Sequence, residues 1–344
     1  MNNLRNQSNS KINLVSGMRP TGKLHLGHYL GVLQNWVDLQ KSQKYNCYFM
    51  LADWHSLTTK YEDTGLIGKS IIEITRDFLA CGLDPDESTI YIQSHVPEIA
   101  ELHLLLSMIT PNNWAERDPT LKDLVRASNQ DETNLTYGML GYPILQTSDI
   151  LIFKGSAVPV GKDQTAHLEI SREIARRFNY IFKKEFFADP KPLFTETPLI
   201  MGIDGTKMGK SFNNDIKISA TEEETINSVK KMITDPQRIK RTDAGNTEEC
   251  KVPFPYYKIF ADADTCKTVK FECETAKRGC IDCKKQLADL INAKFAIIRA
   301  KRQNFSDAEI IEILKAGSRK ARQKAQDNLK QIRAIMKLNY FDKV

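Results

Sequence analysis

Short apolar runs rich in β-branched and aromatic residues alternate with longer amphipathic stretches along the first part of the chain. "INLVSG" (Ile12 to Gly17), "CYFMLAD" (Cys47 to Asp53) and "STIYIQS" (Ser88 to Ser94) have the length and composition of buried strands. Between and after them, Leu66 to Cys81 and Glu98 to Ile109 carry apolar residues at helical spacing. Such alternation predicts an α/β fold, a Rossmann-like parallel sheet with helices on both faces. After Lys217 the pattern turns helical, with loop-like composition around Asp235 to Pro255, and "SDAE" at Ser306 to Glu309 reads as a capping box opening a late helix. The expected organisation is a polar, disordered start (1–11), an α/β domain (12–214) and an all-helical C-terminal domain (215–344) whose last helix packs back on the first.

Composition adds little until charge is placed along the chain. The 344 residues are 41% hydrophobic and 27% charged, with no leader-like apolar core at the start and no run long enough to cross a bilayer. These features predict a cytoplasmic protein with no membrane partner. Net charge is +6, yet Lys284 to Val344 holds fifteen Lys/Arg against six Asp/Glu, so the C-terminal portion carries the excess. That surplus suits either a solvated helical surface or a footprint for a polyanion such as RNA.

"RPTGKLHLGHYLG", Arg19 to Gly31, follows the first strand and places two of six histidines three residues apart. A helix that starts near His25 at the first crossover presents unpaired N–H groups and a positive dipole end to an anion. His25 and His28, one turn apart, can then donate to the same ligand, and Gly27 lets a flat group approach the backbone. Two surface histidines, or a shared metal ion lacking an obvious third ligand, are the alternatives.

A second stretch, "GIDGTKMGKS" (Gly202 to Ser211), ends like a P-loop but fails its spacing, because Asp204 stands where a glycine is required. It still offers Lys207 and Lys210 to a polyphosphate. Together, T-G-x-x-H-x-G-H and K-M-x-K-S resemble the two signatures of class I aminoacyl-tRNA synthetases, with Gly209 at a position usually occupied by serine. "GYPILQTSDILIF" (Gly141 to Phe153) and "VPVGKDQTAHLEISREIARRFN" (Val158 to Asn179) are similar to the amino-acid pocket of the bacterial tryptophanyl-tRNA synthetases.

The resemblance implies a tryptophan–tRNA ligase that forms an aminoacyl-adenylate from tryptophan and ATP, with Mg²⁺, and passes the acyl group to tRNA(Trp). It implies a homodimer, with "NNWAERDPTLKD" (Asn113 to Asp123) near the interface and acceptor stem, a catalytic unit over 12–214 and an anticodon-binding unit over 215–344. By the same resemblance, Arg19, Pro20, Thr21, His25 and His28 bind the ATP phosphates and ribose, and Gly27 accommodates adenine. Lys207 and Lys210, with Gly209 and Ser211, close over pyrophosphate. Ile200 and Met208 are adenine contacts or core residues, and Gly161, Lys162 and Asp163 lie near the ribose. Asp149 accepts the indole N–H, Tyr142 and Gln164 hold the substrate's ammonium and carboxylate, Val15, Val158 and Val160 are pocket walls, and Gly17 and Gln146 complete the pocket. Indole only donates, so a carboxylate suits it, but tyrosine donates too and must be rejected by shape.

Five of seven cysteines, at 250, 266, 273, 280 and 283, fall within 34 residues. In a cytosolic protein such clustering points to metal before disulfides, although only one C-x2-C pair exists, which weakens a zinc ribbon. Seven-residue steps put Cys266, Cys273 and Cys280 on one helical face, and spacing alone leaves open whether Cys250 or Cys266 joins Cys273, Cys280 and Cys283. The spacing through Cys250 resembles that of the tryptophanyl-tRNA synthetases that hold a 4Fe-4S cluster, which implies Cys250, Cys273, Cys280 and Cys283 as ligands. Rival functions are a small-molecule adenylyltransferase, a catalytically silent RNA-binding or metal-sensing protein, and tyrosyl specificity.

Overall fold

A computed structural model describes residues 11–117, 135–161, 165–194, 200–236 and 238–341, the side chain of Ser211 excepted. Five strands, β1 (Ile12–Met18), β2 (Tyr45–Leu51), β3 (Ser88–Ile92), β4 (Ala157–Val160) and β5 (Lys191–Phe194), form one sheet in the order β3-β2-β1-β4-β5. Every pairing is parallel, with Val15 opposite Tyr48 and Val158 opposite Pro192. Helices α1 (Leu26–His28), α2 (Gln34–Lys41), α3 (Asp53–Lys60), α4 (Gly65–Cys81), α5 (Glu98–Ser107), α6 (Asn112–Glu116), α7 (Tyr137–Leu140), α8 (Tyr142–Leu151) and α9 (Thr165–Phe182) connect them. A π-turn over Tyr29–Leu33 joins α1 to α2. Beyond lie α10 (Glu222–Lys230), α11 (Pro253–Phe260), α12 (Ala263–Glu274), α13 (Cys280–Gln303) and α14 (Asp307–Ile335).

Successive strand residues enter opposite cores, as the two-residue period of a strand requires. Leu14, Phe49 and Ile90 join one buried cluster with Trp36 and Phe78, whereas Val15, Tyr48 and Tyr91 join another with Ile99, Ile150 and Phe178. Both faces are therefore covered, which explains why the strands read as continuous apolar runs. Because β1 pairs with β2 on one side and β4 on the other, the connections from its two flanks diverge at its carboxyl end. Ligands bind at such a switch point.

The capping box at Ser306 forms in both directions, with Glu309 N–H donating to Ser306 Oγ and Ser306 N–H to Glu309 Oε2. From there α14 runs back along the sheet edge, where Gly317 lies against Ile90 O so closely that a Cβ would overlap it. Ser318 Oγ accepts the Ile92 N–H at 3.2 Å, and Asn328 Nδ2 donates to Ile152 O at 2.7 Å, so polar groups of the edge strand and of the turn after α8 are satisfied by this helix. Arg302 of α13 donates to buried Asp77 (2.5 Å) and to Glu73 (2.8 Å) of α4, tying the helical region to the α/β core.

Candidate active site

At the end of β1 the chain turns through Arg19 to Leu24. Thr21 N–H donates to Arg19 O at 2.9 Å, and Gly22, at φ +102°, takes a left-handed conformation that lets its N–H reach Ser70 Oγ at 2.8 Å. His25 then caps α1 in extended backbone. The His25 and His28 rings lie 3.8 Å apart, and His25 N–H donates to His28 Nδ1 at 3.3 Å, which leaves the His28 Nε2 proton to serve as a donor. Burial lowers His25 to about 4 and His28 well below its ordinary value, assisted at His25 by Lys210 and Lys217. Both imidazoles are thus neutral at pH 7. A Cβ on Gly27 would sit 3.0 Å from the His25 ring and 3.7 Å from Met208 Sδ.

That last contact brings the two distant motifs together. The segment after the lysine loop returns to the crossover, where Leu26 N–H donates to Ile216 O and Ile218 N–H to Leu24 O, both at 2.9 Å, and His25 bridges Lys217 in antiparallel fashion. Lys210 Nζ donates to Gly22 O at 2.7 Å. Its ammonium is lowered to about 8, first by burial and then by neighbouring Lys217. Arg19, also lowered by burial, donates to Thr59 Oγ1, while Lys207 is exposed. Cations and neutral donors so gathered at a switch point suit a polyphosphate. Ile200 and Met208 are both buried in the core cluster that extends from this region.

On the other side of β1, Val15, Val158 and Val160 are buried together with Tyr48, Met50 and Ile144. Gly17 lets the Met50 side chain pass, since a Cβ would meet Met50 Cγ at 2.5 Å. Asp149, on α8, is fully buried. Its Oδ2 accepts from His55 Nε2 and its Oδ1 from Gln93 Nε2, each at 2.8 Å. Gln93 Oε1 in turn accepts the N–H groups of Trp54 (3.1 Å) and His55 (3.4 Å) at the start of α3. Burial raises the Asp149 carboxyl above its usual range, and the bonds from His55 and Gln93 oppose that rise. Tyr142 begins α8 with its ring 4.4 Å from His55, and Gln146, one turn before Asp149, has a buried Oε1 with no hydrogen-bond partner among the described residues. Gly161 follows β4 and is exposed. Lys162, Asp163, Gln164 and residues 118–123 lie outside the described residues, as does the Ser211 side chain.

The cysteines correct one expectation. Cys266 and Cys273 do lie on α12, but that helix ends at Glu274, Ala276 takes φ +57°, and Cys280 starts α13, so the three share no helical face. The break brings Cys280 and Cys283 back toward Cys273. Cys250, Cys273, Cys280 and Cys283 line one pocket with Asp235, Arg238 and Arg278, whereas Cys266 Sγ lies 3.3 Å from Tyr257 O, in bonding contact with it. Burial raises Cys250 and Cys273, and pushes Cys283 up to about 12. No group of three or more His, Cys, Asp or Glu among the described residues is arranged to hold a metal ion.

His55, Gln93, Asn214 and Lys217 carry no signature that composition or spacing reveals; only the fold places them here. A family profile described as tRNA synthetases class I (W and Y) matches residues 7–296. The tryptophan–tRNA ligases of Thermotoga maritima and Aquifex aeolicus are 42% and 40% identical to the chain, over 95% and 94% of its length and 99% of theirs. The chain belongs to the class I tryptophanyl-tRNA synthetases. A crystal structure of the Campylobacter jejuni tryptophanyl-tRNA synthetase with ADP and tryptophan superposes with a TM-score of 0.84 at 32% identity, covering 94% of this chain and 99% of that one. Members of this family activate tryptophan with ATP, releasing pyrophosphate, and ligate it to tRNA, and that ligation is the activity of this chain. No described helix is long and apolar enough to cross a membrane.

Proposed function

We propose that tryptophan activation takes place where the turn after β1 meets the lysine loop, with the amino acid lying beyond β1 toward Asp149. The observation that supports this reading most is the approach of Met208 and Lys210 to Gly27 and Gly22 across more than 180 residues of sequence. Attack of the tryptophan carboxylate on the α-phosphate brings two anions together and expels pyrophosphate, so fixed donors and cations must lower the barrier. Neutral His25 and His28 donate to the triphosphate, Arg19, Pro20 and Thr21 shape the turn around it, and Lys207 and Lys210 take the charge that builds on the departing group, with Gly209 and Ser211 completing their loop. Gly27, Ile200 and Met208 surround the adenine, and Gly161, Lys162 and Asp163 the ribose. Mg²⁺, when bound with the nucleotide, would neutralise part of the phosphate charge, beside the cations that Lys207 and Lys210 supply.

Asp149 takes the indole N–H, Tyr142 and Gln164 hold the α-amino acid groups, and Val15, Gly17, Gln146, Val158 and Val160 enclose the ring. Residues 12–214 act as the catalytic unit and 215–344 as the anticodon-binding unit of a cytoplasmic homodimer. Exchange of labelled pyrophosphate into ATP should require tryptophan and proceed about 10²-fold less efficiently with tyrosine, which also donates a hydrogen bond and is rejected by the shape of the pocket. Equal exchange with both would remove the assignment of the pocket.

Cys250, Cys273, Cys280 and Cys283 fit a 4Fe-4S group by donor chemistry, four thiols around one pocket with the fifth turned to Tyr257. Such a cluster would order the surface that meets unpaired anticodon bases. Protein purified without oxygen should contain about four irons per chain, and Cys283→Ser should lose them; stoichiometric zinc without iron would overturn the cluster.

A further inference from the structure

We infer that Asn214 is a positioning residue for activation, a single buried amide that sets the shape of the loop bearing Lys207 and Lys210. The inference rests on the role proposed above for those lysines. Met208 anchors the short, glycine-rich loop in the core, but Asp204, Thr206 and Lys207 are exposed, so packing alone does not fix the backbone around it. Asn214, 2% exposed, supplies the missing constraint. Its Nδ2 stands 2.9 Å from Asp204 Oδ1, 3.1 Å from Thr206 Oγ1 and 3.1 Å from Lys207 O, and its Oδ1 accepts the Gly209 N–H at 2.9 Å. The side chain thus grips the backbone on both sides of Met208, immediately before Lys210.

The backbone at Asn214 adds a further tie, since its carbonyl accepts the Ile203 N–H at 2.8 Å. Gly202 must lack a Cβ, because one would overlap the Asn214 amide. Two residues on, Ile216 O accepts the Leu26 N–H beside His25. One residue therefore joins the lysine loop to the segment that docks against the histidine turn. Asparagine suits this place because both donors and an acceptor sit on one planar group; aspartate has no donor and would set a carboxylate against Asp204 Oδ1.

Asn214→Ala and Asn214→Asp are expected to lower kcat for tryptophan-dependent pyrophosphate exchange by about 10- to 100-fold, the loss that follows small misplacement of catalytic groups. Tryptophan affinity, measured by equilibrium binding, should change less than about twofold, because the residue does not touch that pocket. Added to Lys207→Ala/Lys210→Ala, Asn214→Ala should cause no further loss, as coupled groups behave non-additively. Exchange within about twofold of the parent, a full additional loss in the lysine-free background, or a parallel fall in tryptophan affinity would each overturn the inference. If the double lysine variant itself stayed active, the reading of the lysines would fail first, and the two failures are thereby told apart.

Discussion

Alanine at both Lys207 and Lys210 is expected to lower the rate of tryptophan-dependent pyrophosphate exchange by about 10³-fold or more, with tryptophan binding intact. Removing one preorganised donor from a developing anion costs roughly 10²–10³ in rate elsewhere, and here two cations are lost. Lys210 also predicts a pH dependence. Its ammonium is lowered to about 8 by burial and by Lys217. The charge is present below that pH and lost above it, so kcat/KM for ATP should fall as pH rises through about 8. His25, already neutral above about 4, contributes no change in this window. Lys210→Arg keeps its charge at high pH and should abolish the alkaline fall whatever its absolute rate. Exchange measured from pH 6 to 9 checks both points; a double alanine variant retaining a tenth of the parent rate would remove the lysines from the mechanism.

The strands and the crossover were legible in the sequence because their cause is local. A buried parallel strand must be a continuous apolar run, so Ile12 to Gly17 followed by a Pro-Thr-Gly turn already marks a strand and its crossover. The free helix N–H groups expected there are not all present, because α1 spans only Leu26–His28 and its first N–H donates to Ile216 O. The Ser306–Glu309 box is equally local. The two signatures could be matched to a family, but nothing in the sequence shows that they touch. Their meeting depends on residues 214–218 pairing with 24–26, a contact with no pattern of its own.

Other features were hidden because a side chain's role follows from what the fold brings to it. Heptad spacing suggested one face for Cys266, Cys273 and Cys280, yet the helix stops after Glu274 and the turn through Ala276 redirects the chain. That same turn brings Cys280 and Cys283 back to the pocket of Cys273, while Cys266, two turns earlier on α12, meets Tyr257 O instead. Gln93 looks like a polar end to a strand, and His55 like any histidine in a helix; burial beside Asp149 makes both part of one network.

Asp149→Ala is expected to lower kcat/KM for tryptophan by about 10²–10³-fold and to erase most discrimination against an analogue whose indole N–H is replaced by sulfur. The carboxylate is fully buried and faces two donors, the His55 ring and the Gln93 amide. Each oxygen retains a lone pair, so the indole N–H can join as a third donor without displacing either. A substrate lacking that proton leaves a buried anion short of a partner, the asymmetry that lets hydrogen-bonding sites reject analogues by large factors. Alanine removes the anion and with it the penalty, and it also strands both donors, which should lower stability by roughly 1–3 kcal/mol. Asp149→Asn separates these effects. Gln93 Oε1 is held by the backbone of Trp54 and His55, so its amide must keep donating; the new Asn oxygen faces Gln93, its Nδ2 faces His55, and the imidazole changes tautomer to accept. Stability should then recover only in part, because the new tautomer carries its proton on His55 Nδ1, which is buried without a partner among the described residues, while tryptophan efficiency stays below the parent. Rejection of tyrosine should survive in both variants, because the proposed pocket assigns it to the walls formed by Val15, Val158 and Val160. Unchanged discrimination against the sulfur analogue in Asp149→Ala would place the indole N–H elsewhere.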